Sequence, residues 1–229
     1  MSDLAGRLAS VDAAIADAAR TAGRDPGELT RIVVTKFHPA SLVRELVALG
    51  VRDVGENRHQ EAAAKAAELD GLGIRWHFVG QLQRNKARAV RGYATSVHSV
   101  DRPALADALD RAGDAGTGPS RLDVFLELNL TDDPARGGID PADVERLAEH
   151  VLALPSLRLR GVMAVASPGA EPRAEFARVR SASERLRAIA PDATAISAGM
   201  SGDFRAAILE GATHLRIGTA ITGKRSSPG

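Results

Sequence analysis

Eight times along this chain a short run of apolar and β-branched residues is followed by a longer stretch with helical spacing. The runs cover residues 31–35, 51–54, 75–79, 96–100, 122–129, 157–165, 194–197 and 214–217. Strands and helices that alternate in this way pair as parallel neighbours, because each return crossing is made by a helix. Eight units fit a closed (β/α)8 TIM barrel of the α/β class better than an open doubly wound sheet, which is the second choice.

The intervening stretches carry helix start signals. Ser41 precedes Leu42, Val43, Leu46, Val47 and Leu49; Asp101 precedes Leu105 and Leu109; and Asp140 stands as a cap with Pro141 at the first helical position. Residues 175–189 and 204–209 also read as helix. Ahead of the first run, Leu4, Leu8, Val11, Ile15 and Ala18 step by four and three. That spacing predicts an extra N-terminal helix within residues 1–24, stopping near Gly23 before a turn at Pro26-Gly27. One stretch, 113–120, reads as a Gly- and Pro-containing loop. Because the next run resumes the alternation, residues 1–229 are read as one domain, with 224–229 a frayed tail.

Composition removes several classes of function. With no cysteine among 229 residues, disulfides, thiolate metal sites and cysteine nucleophiles are excluded. A net charge of +1 and 3% aromatic residues offer neither a field nor a stacking platform for nucleic acid, and no field for an anionic membrane. Asp3, Arg7, Asp12 and Asp17 interrupt the first segment, so it lacks a signal peptide's apolar centre, and no run reaches membrane-spanning length. The expected location is the cytoplasm.

In a parallel barrel the chemistry sits past the C-terminal ends of the strands. Two features stand out there. Only four of the 30 basic residues are lysines, yet Lys36 follows the first run. Arginine cannot form a Schiff base, whereas a desolvated lysine can lose its proton and attack a carbonyl; the plain alternative is a surface lysine. The second feature is a pair of small-residue loops, Gly199-Met200-Ser201-Gly202-Asp203 after the seventh run and Gly218-Thr219 after the eighth. Such loops let backbone N–H groups and hydroxyls reach a phosphate, at the corner where these barrels usually hold one. Together they suggest a phosphorylated carbonyl ligand bound covalently, either pyridoxal 5′-phosphate (PLP) or a sugar phosphate in a Schiff-base aldolase.

Several blocks carry a resemblance that separates these. They are Val34-Thr35-Lys36, Val54-Gly55-Glu56-Asn57-Arg58-His59-Gln60-Glu61, residues 76–86 (WHFVGQLQRNK), Arg160-Gly161-Val162-Met163-Ala164, residues 197–203 (SAGMSGD) and residues 216–223 (RIGTAITG). In this order, over residues 31–223, they resemble the YggS/PROSC family of PLP homeostasis proteins. The resemblance implies a barrel like the N-terminal domain of alanine racemase, with PLP held as a Schiff base on Lys36. It implies that Ser201, Gly218 and Thr219 hold the phosphate, with Met200 beside it through its backbone. Arg216 would face the pyridine nitrogen, and Asn57, His77 and Met163 would line the ring pocket. The implied role is cofactor binding and release, to apo PLP-dependent enzymes, without turnover of a substrate and with no catalytic residue. The chain departs from the family's usual pattern at Ala198 and Phe37, which bears on pocket shape.

Residue chemistry favours a carrier over the alternative, an amino-acid racemase or other PLP enzyme. An arginine at the ring nitrogen can only donate, so the ring is a weak electron sink. Racemases share that arginine but need a second base; Tyr93, the single tyrosine, lies far from any strand end, and the chain stops where a further domain would start. A monomer is expected for the same reason. His77, His98 and His214 all fall on strands and are read as packing residues, not metal ligands. Met163 and Met200 would ordinarily be packing residues as well. Glu56 is taken as supporting the site from behind, Asp203 as a first-turn acid of its helix, and Asp132, Asp133 and Arg136-Gly137-Gly138 as a solvated rim.

Overall fold

A computed structural model of the chain describes residues 3–131 and 133–223, so the tail at 224–229 and Asp132 lie outside the described residues. The strands are β1 (Thr30–Val34), β2 (Asp53–Glu56), β3 (Arg75–Phe78), β4 (Ser96–Val100), β5 (Leu122–Leu128), β6 (Leu157–Ala164), β7 (Ala195–Ser197) and β8 (His214–Ile217). The helices are α1 (Asp3–Thr21), α2 (Ala40–Ala48), α3 (His59–Glu68), α4 (Ala87–Arg91), α5 (Pro103–Asp114), α6 (Val144–Leu152), α7 (Pro172–Ile189), α8 (Phe204–Leu209) and α9 (Thr219–Thr222). All strand pairs are parallel, and β8 returns to β1 in the register Thr30 to His214 and Val33 to Ile217. The sheet is therefore a closed barrel, and the open sheet is ruled out.

Strand alternation builds two separate interiors. On β5, Leu122, Val124, Leu126 and Leu128 point outward into a continuous apolar layer beneath the helices, while Phe125 joins Met163 and Ala195 inside the barrel. The register slips where β5 meets β6, between Val124 and Phe125. Gly161 lies at that step with φ +152°, where a Cβ would stand 1.7 Å from the Ala195 carbonyl oxygen. Only glycine lets β6 and β7 approach so closely.

Helix α1 buries Leu4, Leu8, Val11, Ile15 and Ala18, the face read from the sequence. It packs on α8 and α9, and Arg7 Nε donates to the Ile221 carbonyl at 2.7 Å while Arg24 Nη1 donates to that of Ala212 at 2.7 Å. Since α9 has four residues, α1 covers the closing seam of the barrel and is more than an addition to it.

Three local expectations change. Helix α2 begins at Ala40 with Pro39 in the cap position, so Ser41 lies inside the first turn. Asp140 does cap, accepting from the Ala142 N–H at 2.8 Å, but it caps a single 3-10 turn that leads into α6. The stretch at 113–120 is only partly loop: α5 continues to Asp114, and the rest closes around the fully buried Arg91. Arg91 donates to the carbonyls of Thr117 (2.9 Å), Leu109 (3.2 Å), Pro119 (2.9 Å) and Ser156 (3.1 Å). Among the described residues no helix is long and apolar enough to cross a membrane.

Candidate functional site

The C-terminal ends of β1, β7 and β8 form one corner. Lys36 is exposed just past β1, its Nζ 6.0 Å from the centre of the Phe37 ring. The expectation of a desolvated lysine is thus not met in this structure; the amine stands at an open rim. Gly218 lies against Val34, two residues before that lysine, where an added Cβ would meet Val34 at 3.7 Å. The loops after β7 and β8 are tied by the Ala220 N–H, which donates to Ser201 Oγ at 3.4 Å. Lys36, Ser201, Gly218 and Thr219 therefore share one edge of the mouth.

The backbone after Lys36 is held deliberately. Phe37 has φ +66°, a left-handed conformation that a bulky residue seldom adopts. Its N–H donates to Glu61 Oε2 at 3.0 Å, and the Arg58 guanidinium covers its ring at 4.8 Å. Behind the lysine, Glu56 Oε1 accepts from Thr35 Oγ1 and from Lys65 Nζ, both at 2.6 Å, and Lys65 also donates to the Thr35 carbonyl at 2.9 Å. All three side chains are buried, and burial pushes the Glu56 carboxyl above its ordinary range despite both donors. Glu56 thus has the supporting position expected of it. Lys65 and Glu61 were missed, although Lys65 sits one turn from Ala62 on the buried face of α3.

Arg216 extends from β8 into the barrel, 5% exposed. Its Nη1 donates to Ser197 Oγ at 2.7 Å and its Nη2 to the Ala164 carbonyl at 2.8 Å. Burial pushes its pKa down to about 10, so it remains a cation at neutral pH. Glu127 lies on β5 in register with Met163, and its buried Oε2 has no hydrogen-bond partner. Burial, and then the nearby Asp101, push it up to about 7. Asn57, past β2, also has a buried side-chain oxygen, Oδ1, without a partner. Its backbone is pinned by Gly80, where a Cβ would fall 2.2 Å from the Asn57 carbonyl oxygen.

The remaining residues fall elsewhere. His77 Nε2 bonds Asp53 Oδ1 at 2.9 Å, at the first residue of β2, so its ring turns toward the N-terminal rim and away from the mouth. That places it below the ring pocket it was expected to line. It meets His98 and His214 inside the barrel, with ring centres of 5.2 Å for His77–His98 and 6.2 Å for His98–His214. Among the described residues no group of three or more His, Asp or Glu is arranged to hold a metal. Met163 packs in the lumen with Phe125. Met200 does not pack: it is 40% exposed, and its N–H is taken by Asp203 Oδ1, which competes with a backbone contact to a phosphate. Asp203 itself occupies the cap position of α8. Tyr93 lies in the outer layer, stacked on His59 with ring centres 6.0 Å apart, and burial pushes its phenol well up. The groove that Tyr93 helps to line, about 860 Å³, lies outside the barrel and holds none of the predicted site residues.

The comparisons agree with this architecture. A family model for the alanine racemase N-terminal domain matches residues 13–226. A pyridoxal phosphate homeostasis protein of Pseudomonas aeruginosa is 45% identical over 225 residues, 98% of this chain and 97% of that protein. PipY of Synechococcus elongatus, solved without PLP and with PLP bound, superposes with TM-scores of 0.83 and 0.82 at 39% and 38% identity, over 96% of this chain and all of PipY. An alanine racemase of Corynebacterium glutamicum, 17% identical with a TM-score of 0.70 over 97% of this chain and 63% of its own, shares the fold.

Proposed function

The chain belongs to the alanine racemase N-terminal domain family and, within it, to the pyridoxal phosphate homeostasis proteins, and from that premise we propose that it binds PLP and releases it. The observation that carries the reading is the corner itself: a lysine at an open rim, beside two small-residue loops tied together, above a buried guanidinium. The residues fit the cofactor. Ser201, Gly218 and Thr219 would hold the phosphate by hydroxyl and backbone groups. Arg216 would donate to the ring nitrogen, and Met163 would floor the ring. The unpartnered oxygen of Asn57 marks a place where a polar group is owed. When bound, PLP would supply an aldehyde, and the Lys36 amine at the rim would be the group to hold it by condensation with loss of one water, a bond that hydrolysis would reverse.

Three features of the chain support carriage over turnover. Arginine only donates, so the ring nitrogen is left without the carboxylate that enforces protonation in strong electron sinks. Tyr93 is committed to the outer layer and offers no second base. The rim leaves Lys36 and Thr219 exposed, which suits exchange with water more than shielded chemistry. The same reading makes the protein a cytoplasmic monomer that passes PLP to apo PLP-dependent enzymes.

The test is borohydride reduction of the PLP-treated protein followed by peptide mapping, with Lys36→Ala alongside. A pyridoxyl adduct on Lys36, absent from the variant, is expected, with no amino-acid racemisation. Label on Lys65 or Lys86, or no label, would overturn the assignment; Lys65 is held in a buried ion pair and should stay unlabelled.

A further inference from the structure

A column of side chains runs through the barrel from Arg216 to the opposite rim. Arg216 Nη1 lies 2.7 Å from Ser197 Oγ, which lies 2.9 Å from His98 Nδ1. His98 Nε2 lies 3.1 Å from both His77 Nδ1 and Ser96 Oγ, and His77 Nε2 lies 2.9 Å from Asp53 Oδ1. Asp53 also accepts from Arg75 and lines a cavity of about 420 Å³ at the N-terminal rim, together with Asp12 and Arg31.

The two ends of the column favour one direction for its links, running from Arg216 to Asp53. Arginine can only donate and a carboxylate can only accept. Ser197 Oγ therefore accepts from Arg216 and has its own proton for His98 Nδ1. In that direction Nδ1 of His98 is the bare nitrogen and its proton sits on Nε2, which donates toward His77 Nδ1 and Ser96 Oγ, and Ser96 Oγ, 2.7 Å from His77 Nδ1, passes the bond on. His77 then carries its proton on Nε2 and gives that bond to Asp53. Hydrogen bonds aligned head to tail between a cation and an anion polarise one another. Burial, with His77, His214 and Arg216 nearby, holds His98 well below its ordinary range, so it serves as a neutral link. The Asp53 carboxyl is held well below the ordinary range by Arg75 and His77, against its burial.

We propose that Ser197, His98, His77 and Asp53 form a one-way hydrogen-bonded column that positions Arg216 from the far rim of the barrel and so sets the donor presented to the cofactor ring. The final step rests on the proposed reading that Arg216 faces the ring nitrogen; the column does not. His98 and His77 are positioning residues here, acting through Ser197 and Arg216.

The experiment is nitrogen NMR of the histidine and arginine side chains in the unloaded 15N-labelled protein, for the wild type, Ser197→Ala, Ser197→Thr and Asp53→Asn. In the wild type, His98 and His77 should both be protonated on Nε2 and bare on Nδ1. Ser197→Ala should move the Arg216 and His98 signals, and Ser197→Thr, which keeps the hydroxyl, should restore them. Asp53→Asn should move His98 although His77 stands between them. A His98 protonated on Nδ1, or a His98 signal unmoved by Asp53→Asn in a folded variant, would overturn the column. If Asp53→Asn does not fold, the serine pair decides alone: no shift of Arg216 in Ser197→Ala, or no rescue in Ser197→Thr, overturns it. In PLP-loaded protein, Ser197→Ala should shift the cofactor's absorption band and raise its release rate about tenfold, as losing one charge-assisted hydrogen bond would. An unchanged band and rate would detach the column from the ring. Failure to load PLP at all would sink the proposed function and leave the column standing on the NMR result.

Discussion

Arg91 and Arg216 are both buried arginines, and they are buried in opposite ways. Arg91 sits in the outer layer among four backbone carbonyls. Glycines make the room: a Cβ on Gly113 would fall 2.4 Å from Arg91 Nη2, and one on Gly118 2.1 Å from the Arg91 carbonyl oxygen. Arg216 sits in the lumen, bonded to one carbonyl and to the Ser197 hydroxyl, whose next neighbour is a histidine. Carbonyls have one protonation state and little freedom. Hydroxyls rotate and imidazoles choose between tautomers. The first arginine is therefore a fixed brace for a loop, while the second is joined to groups that can change. A buried cation is informative about function only once its partners are known.

Removing the brace should have the largest effect. Arg91→Met strands four carbonyls that have closed around a cation, and should cost about 3–5 kcal/mol of unfolding free energy, read from urea titration. PLP uptake by the protein still folded should not change, because Arg91 lies in the other layer. If uptake falls while stability holds, the two arginines are not separable as argued. Next comes the loop that makes the cage. Gly118→Ala combines φ +76° with the clash on Arg91 and should cost about 2–3 kcal/mol in the same assay. Gly116→Ala shares the backbone term, at φ +73°, but meets nothing within 4 Å, and should cost about 1 kcal/mol. Equal costs would mean that the cage around Arg91 contributes nothing.

That cage was invisible in the sequence, whereas the barrel was not. Strand–helix alternation is a repeated, local signal, so all eight strands were placed, and on α1 the 3.6-residue period marked the buried face. That Lys36, Ser201, Gly218 and Thr219 gather at one corner was legible because they follow strand ends on one side of the barrel. What could not be read is what depends on partners distant in sequence. The stretch at 113–120 has the composition of a linker, and only the position of Arg91, 22 residues before Gly113, reveals it as a cage. His77 reads as a pocket residue until Asp53 is placed below it. Lys65 reads as an ordinary helix lysine until Glu56 and Thr35 face it across the layer.

The smallest effect tests whether the lumen is as responsive as the comparison claims. Glu127 is partly buried, one of its oxygens is unpartnered, and its pKa is pushed up to about 7 from an ordinary 4.5, so the fold disfavours its charged form. Between those two values the folded chain binds more protons than the unfolded one, and stability must fall as pH rises. The stabilising contribution is complete below the unfolded value and lost as pH passes through the folded one. Relative to Glu127→Gln, which cannot ionise, the wild type should thus lose about 3 kcal/mol between roughly pH 4.5 and pH 8, read from urea unfolding at each pH. The Arg91→Met protein should keep the same pH dependence. An Arg216→Met protein should show the loss at higher pH, because Arg216 is one of the two cations that hold the Glu127 carboxyl down. A constant difference between wild type and Glu127→Gln across this range would mean that the carboxyl is not buried against its charge, and that the lumen is as inert as the cage.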